Sequence, residues 1–136
     1  MKEPKKYIFE LPMKVRDYEV DAEGIVNNAN YLHYLEHTRH EFCEQAGFSF
    51  ADMCAQGIHP VLSRVEISYK YPLRSADRFV SKLSIRRRGP LFIFDQDIFN
   101  ADGQPVIEAV VKVATLRDGA LTRGDELAEK FKAYLD

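Results

Sequence analysis

Tryptophan is absent from this chain, cysteine occurs only at Cys43 and Cys54, and no charge of either sign dominates, the net charge being -2. The two cysteines stand in neither metal-ligand nor redox spacing, so they read as free thiols of a cytoplasmic protein. The opening MKEPKKYIFELP carries no apolar segment of signal-peptide length. No window approaches the ~18 consecutive apolar residues of a membrane span. A near-neutral balance argues against a dedicated nucleic-acid binder and leaves room only for a local basic patch. What is there is globular: 46% apolar residues, 12% aromatics and 29% charged residues in a length of 136. That length is one ordinary domain, 1–136, which buries roughly two-thirds of the surface exposed by its unfolded form.

The pattern along the chain predicts an α+β architecture. Tyr7 to Val20 reads as extended, with Pro12 forcing an edge position or a bulge because proline cannot donate to a ladder. Four carboxylates, Asp17, Glu19, Asp21 and Glu23, lead into a turn at Gly24, then Ile25, Val26 and the cap-prone Asn27, Asn28 and Asn30. Tyr31, Tyr34, Leu35, Thr38, Phe42 and Ala46 then recur at helical spacing until Gly47 supplies a stop. A short helical piece over Phe50 to Gln56 precedes a strand from His59 in which Val65, Ile67, Tyr69 and Tyr71 alternate with polar residues. Phe79 to Arg87, Leu91 to Phe99 and Val106 to Leu116 follow as strands joined by tight turns, which makes them antiparallel neighbours. Thr122 to Leu135 opens with a Thr-x-x-Asp cap pattern and is predicted as a terminal helix.

Chemistry concentrates where the acidic loop empties onto the long helix. The first N–H groups of a helix lack intrahelical partners and carry roughly half a positive charge, which suits a developing oxyanion. A carboxylate beside them is a candidate catalyst, although acidic residues also stabilise helix starts without any chemistry. His33, Glu36 and His37 match the inverted zinc-protease pattern H-x-x-E-H. No third ligand is evident, and the helix face of His33, His37 and His40 lies away from the apolar stripe, so an exposed or interface face explains them and no metal site is expected. Glu36 and Arg39 are placed to pair along the helix. Arg86, Arg87 and Arg88 at the Gly89-Pro90 turn form a guanidinium cluster suited to phosphates, or equally a solvated hairpin end. Cys43 near the stripe reads as a small apolar filler.

The run Asp21-Ala22-Glu23-Gly24-Ile25-Val26, followed by Asn28, Asn30-Tyr31, Tyr34, Glu36 and Arg39, resembles the signature of the 4-hydroxybenzoyl-CoA thioesterase-like branch of the hotdog superfamily. VRDYEVDAEGIVNNANY and YPLRSADRF are most similar in look to plant acyl-lipid thioesterases and their bacterial relatives. The resemblance implies a hotdog fold, a curled antiparallel sheet around one long helix, assembled as homodimers or homotetramers with active sites at subunit interfaces. It implies an acyl-CoA or acyl carrier protein thioester as substrate and no cofactor. It places Asp21 at the catalytic carboxylate position and the N–H near Asn28 at the oxyanion site. Gly24, Ile25, Val26 and Tyr31 then line the substrate, with His59 on a nearby loop, while Asp17, Glu19 and Glu23 fall into the background; by charge, Arg86, Arg87 and Arg88 suit the phosphates of coenzyme A or the acidic surface of a carrier protein. Asn27 and Asn28 depart from relatives that carry Tyr-His there, so no histidine role transfers.

Three functions fit these residues. Thioester hydrolysis needs little beyond a carboxylate and an oxyanion site, because the departing thiol is acidic, with a pKa near that of cysteine at ~8.5. A non-catalytic acyl-thioester binder could use the same fold. Hydration or dehydration of an acyl thioester would want a histidine base near the helix start, where the chain has asparagines.

Overall fold

The computed structural model describes residues 6–135. Strand β1 (Phe9–Lys14) leads through a 3-10 turn at Asp17–Glu19 to helix α1 (Asn28–Gln45) and the short α2 (Phe50–Ala55). Then come β2 (His59–Tyr69), β3 (Arg78–Arg88), β4 (Leu91–Asn100), β5 (Pro105–Arg117), the two-residue β6 (Ala120–Leu121) and α3 (Asp125–Lys130). The sheet is antiparallel in the order β1-β3-β4-β5-β2, with β6 on the end of β5. It curls over α1, which is the hotdog arrangement expected from the sequence.

Pro12 lies in β1, an edge strand paired only with β3, where its missing N–H costs no central ladder bond. The β3–β4 hairpin turns on Gly89 and Pro90, and Gly89 supplies the positive φ of 60° that the tight turn demands. Helix α1 is capped by Asn27, whose Oδ1 accepts the Ala29 N–H at 2.9 Å, and it ends at Gln45, with Ala46 as its C-cap ahead of Gly47 at φ 99°.

Tyr31, Tyr34, Leu35, Thr38, Phe42 and Cys43 of α1 are buried against the sheet. Phe42 stacks on Phe131 with ring centroids 5.6 Å apart and meets Phe94 and Tyr134 edge-on. Each such aromatic burial removes a large apolar area at roughly 25 cal/mol per Å². The helix is also pinned to the sheet by polar atoms. Gln96 of β4 donates from Nε2 to the Leu35 carbonyl at 3.0 Å and accepts at Oε1 from Arg39 Nη1 at 3.0 Å. The Thr38 hydroxyl lies 2.7 Å from both the Tyr34 carbonyl oxygen and the Ser81 hydroxyl.

Three expectations change. The extended run read from Tyr7 to Val20 stops at Lys14, because Asp17–Glu19 turn as a 3-10 helix that the Arg16 N–H closes on Glu19 Oε1. The terminal helix does not begin at Thr122, whose N–H continues strand pairing to the Thr115 carbonyl at 2.9 Å. The cap is Gly124, at φ 80°, where a Cβ would sit 2.8 Å from the Phe92 ring, so close packing on β4 sets the start of α3 at Asp125. Arg39 does not pair with Glu36. It turns inward and is buried, while Glu36 reaches His40 at 3.8 Å and Glu41 reaches His37 at 3.9 Å. Burial against Gln96 wins because the helix places Arg39 beside the buried Leu35 and Phe42, not out in water.

Candidate active site

The acidic loop folds back on itself before the helix begins. Val20 and Val26 form an isolated antiparallel bridge, the Asp21 N–H donates to the Ile25 carbonyl at 2.8 Å, and the Gly24 N–H returns to the Asp21 carbonyl at 2.9 Å. Gly24 takes φ 79°, the left-handed conformation that closes this turn. The turn is tied to the entry of β3 by the Val26 N–H to the Leu73 carbonyl at 2.8 Å and by an Ile25–Arg74 bridge. Asp21 thus stands one tight turn from the start of α1. Its Oδ1 accepts the Glu23 N–H at 2.8 Å, and no partner holds its Oδ2 among the described residues. The carboxylate is exposed.

At the helix start the Ala29 N–H is taken by Asn27 and the Asn30 N–H by the Asn27 carbonyl. The Asn27 N–H is taken by the Glu19 carbonyl at 3.0 Å. The Asn28 N–H has no acceptor among the described residues. It is therefore the open donor at the positive end of an 18-residue helix.

Glu19, read from sequence as background, organises this end of the molecule. It is 5% exposed, and its Oε1 accepts the Arg16 N–H at 2.7 Å and the Tyr34 hydroxyl at 2.9 Å. Its carbonyl accepts both the Asn27 N–H and Asn30 Nδ2, the latter at 2.7 Å. Burial, and then the Glu19 carboxylate, push the Tyr34 hydroxyl above its ordinary pKa, so Tyr34 serves as a lasting donor. No local signal in the sequence separates Glu19 from the other carboxylates of the loop.

Other residues expected at the site fall into two groups. Val26 and Tyr31 lie at the same end of the fold as Asp21 but are buried, and the Tyr31 hydroxyl accepts the Leu73 N–H at 3.3 Å. Burial raises the Tyr31 hydroxyl pKa as well. Tyr31 also contacts Tyr69 at the end of β2, with ring centroids 5.6 Å apart. His59 begins β2 and so lies about 30 Å of strand away from Tyr69. Arg86, Arg87 and Arg88 occupy that same far end. Arg86 pairs with Asp95 at 3.0 Å, Arg87 donates to Asp125 at 2.7 Å and to the Arg123 carbonyl at 2.8 Å, and Arg88 is exposed.

A groove of about 960 Å³ runs along β1 between Leu11–Glu19, His33, Tyr34 and His37. A smaller cavity of about 200 Å³ lies between α1, α2 and the first half of β2, with Arg39 in its wall. Burial lowers the Arg39 pKa from its ordinary value. Neither lining includes Asp21. Among the described residues no helix is long and apolar enough to cross a membrane.

Residues 15–134 match the family model of the thioesterase-like superfamily. The chain is 41% identical over 102 residues to the chloroplastic acyl-acyl carrier protein thioesterase ATL3 of Arabidopsis thaliana, covering 74% of this chain and 54% of that protein. It thus spans about half the length of its plant relatives. Against the acyl-CoA thioester hydrolase YbgC of Escherichia coli it is 30% identical over 107 residues, with 78% and 80% covered. The crystal structure of a hypothetical protein from Aquifex aeolicus superposes with a TM-score of 0.84 at 31% identity, covering 90% of this chain and 98% of that one. Signature, fold and relatives agree, and the chain belongs to the thioesterase-like superfamily of hotdog proteins.

Proposed function

We propose that this chain hydrolyses acyl thioesters of coenzyme A or of acyl carrier protein, with Asp21 as the catalytic carboxylate. The observation that carries this reading is that Asp21 Oδ2 and, seven residues on at the helix start, the Asn28 N–H are both without a partner among the described residues. In the general-base route Asp21 takes a proton from water as its oxygen adds to the thioester carbonyl carbon. The carbonyl oxygen becomes an oxyanion facing the Asn28 N–H. The C–S bond then breaks, and the thiolate leaves with the proton held by Asp21. In the nucleophilic route Asp21 itself adds, expels the thiolate and leaves a mixed anhydride that water opens. Either route asks the helix-start donor for roughly 3–4 kcal/mol of transition-state stabilisation. Names of relatives support the reaction, since ATL3 is an acyl-acyl carrier protein thioesterase and YbgC an acyl-CoA thioester hydrolase.

The same reading takes the active form to be a homodimer, or a homotetramer of two such dimers, in the cytoplasm. An exposed Asp21 would need covering to limit bulk water, and β2 is a long edge strand that itself exposes Val61, Leu62 and Tyr69. Antiparallel pairing of two β2 edges about a twofold would lay the His59 end of one copy beside the Tyr69 end of the other. His59 and Arg88 would then reach the site from the second copy, with Arg88 facing the phosphates or the acidic carrier.

The test is thiol release from a panel of acyl-CoA and acyl carrier protein thioesters. Hydrolysis well above background is expected for members of the panel. Release at the background rate for every member, with binding retained, would transfer the chain to a non-catalytic binding role.

A further inference from the structure

Arg39 is the most unusual group outside the Asp21 site. It is 7% exposed, and it makes no ion pair with a carboxylate among the described residues. Of its five N–H donors, Nη1 alone has an acceptor, the amide oxygen of Gln96. No Arg39 nitrogen is both shut off from solvent and without an acceptor, so the donors that Gln96 does not take open on the cavity. Arg39 also lines the cavity of about 200 Å³, whose other walls are largely apolar: Phe50, Met53, Val61, Phe94 and Phe131 among them. An apolar cavity with a single buried cation in its wall fits an apolar ligand that ends in an oxygen acceptor.

The path to that cavity starts at the helix N-terminus. Ala29, Leu32, Glu36 and Arg39 follow one another three or four residues apart, so they form one stripe along α1. Leu32 is 45% exposed, an apolar step between the Asn28 N–H and the cavity. From Asn28 to Arg39 the stripe runs about 16 Å along the helix axis. A thioester seated at Asp21 could lay its acyl chain along this stripe and bring its far end to Arg39. Glu36, at the rim, is occupied with His40.

We propose that the cavity beside Arg39 receives the distal end of the acyl group and selects chains that carry a carboxylate there. The guanidinium would hold that carboxylate through the donors Gln96 leaves open. This selectivity rests on the hydrolase reading above and names its substrate class.

The test compares saturated, ω-hydroxy and ω-carboxy acyl-CoAs over a series of chain lengths, with wild type, Arg39→Met and Arg39→Lys. At the length that reaches Arg39, kcat/KM for the ω-carboxy substrate should exceed that of the saturated one by about tenfold or more. Arg39→Met should abolish the preference yet still hydrolyse the saturated substrate, and Arg39→Lys should keep part of it. Equal kcat/KM across the three substrates at every length overturns the proposal, as does an unchanged preference in Arg39→Met. Calorimetric titration of wild type with a free dicarboxylic acid and its matched monocarboxylic acid separates this from failure of the hydrolase reading. Tighter dicarboxylate binding supports the pocket even if no thioester is cleaved, and equal binding removes it. Should Arg39→Met fail to fold, Val61→Phe narrows the cavity and should move the ω-carboxy preference to shorter chains, with no movement overturning the proposal.

Discussion

Glu19→Ala should damage the protein more than loss of any other carboxylate in the acidic loop. The substitution strands the Tyr34 hydroxyl, a buried donor whose acceptor is Glu19 Oε1 at 2.9 Å. An unmatched buried donor costs about 1–3 kcal/mol. The Arg16 N–H, held by the same oxygen at 2.7 Å, sits on an exposed residue and can turn to water, so its loss adds about 0.5–1.5 kcal/mol. Together the expected destabilisation is about 2–4 kcal/mol, read as a shift of the urea midpoint at constant m-value. Tyr34→Phe removes the stranded group, so the double variant should be more stable than the two single costs predict, by about 1–2 kcal/mol. The helix-start bonds from Asn27 and Asn30 go to the backbone carbonyl of residue 19, which alanine keeps, so the loss in Glu19→Ala should show in stability before it shows in thioester hydrolysis. A Glu19→Ala midpoint within about 0.5 kcal/mol of wild type, or strict additivity with Tyr34→Phe, would refute the clamp.

Two further outcomes follow from the same structure. Burial raises the Cys43 thiol from 9.0 to about 12, so its contribution to stability is complete below pH 9 and is lost as pH rises toward 12. The unfolding free energy from urea titrations should therefore fall above pH 9, by up to about 1.4 kcal/mol per pH unit from Cys43, and Cys43→Ala should flatten the decline. A charge at the exposed β2 residue Leu62, as in Leu62→Asp, should convert an oligomer to monomer in sedimentation velocity and abolish hydrolysis, whereas a monomeric wild type would contradict the pairing.

The fold was legible where periodicity and turn chemistry spoke together. Tyr31 to Phe42 at helical spacing, Pro12 at an edge and Gly89-Pro90 between strands each imposed a local answer that packing did not overrule. Thr122 misled because a cap pattern is local, whereas contact between Gly124 and Phe92 lies more than thirty residues apart in the chain. In the acidic loop, alternating carboxylates look alike in sequence. Only the fold separates Glu19, turned inward to Tyr34, from Asp21, turned out to water. Arg39 was hidden for a similar reason: helical spacing offers Glu36 as a partner, and Gln96 comes from a distant strand. Asp21 itself stood out by resemblance more than by any local physical signal.

The central claim is that the Asp21 carboxylate performs the chemistry, and turnover of Asp21→Asn tests it most directly. Asparagine keeps an Oδ1 to accept the Glu23 N–H, so the tight turn survives and thermal stability should stay near wild type. Thiol release from the best acyl thioester of the panel should drop by about 10²–10⁴-fold in kcat. An Asp21→Asn protein that folds and turns over within about tenfold of wild type would contradict the assignment and move the catalytic carboxylate elsewhere.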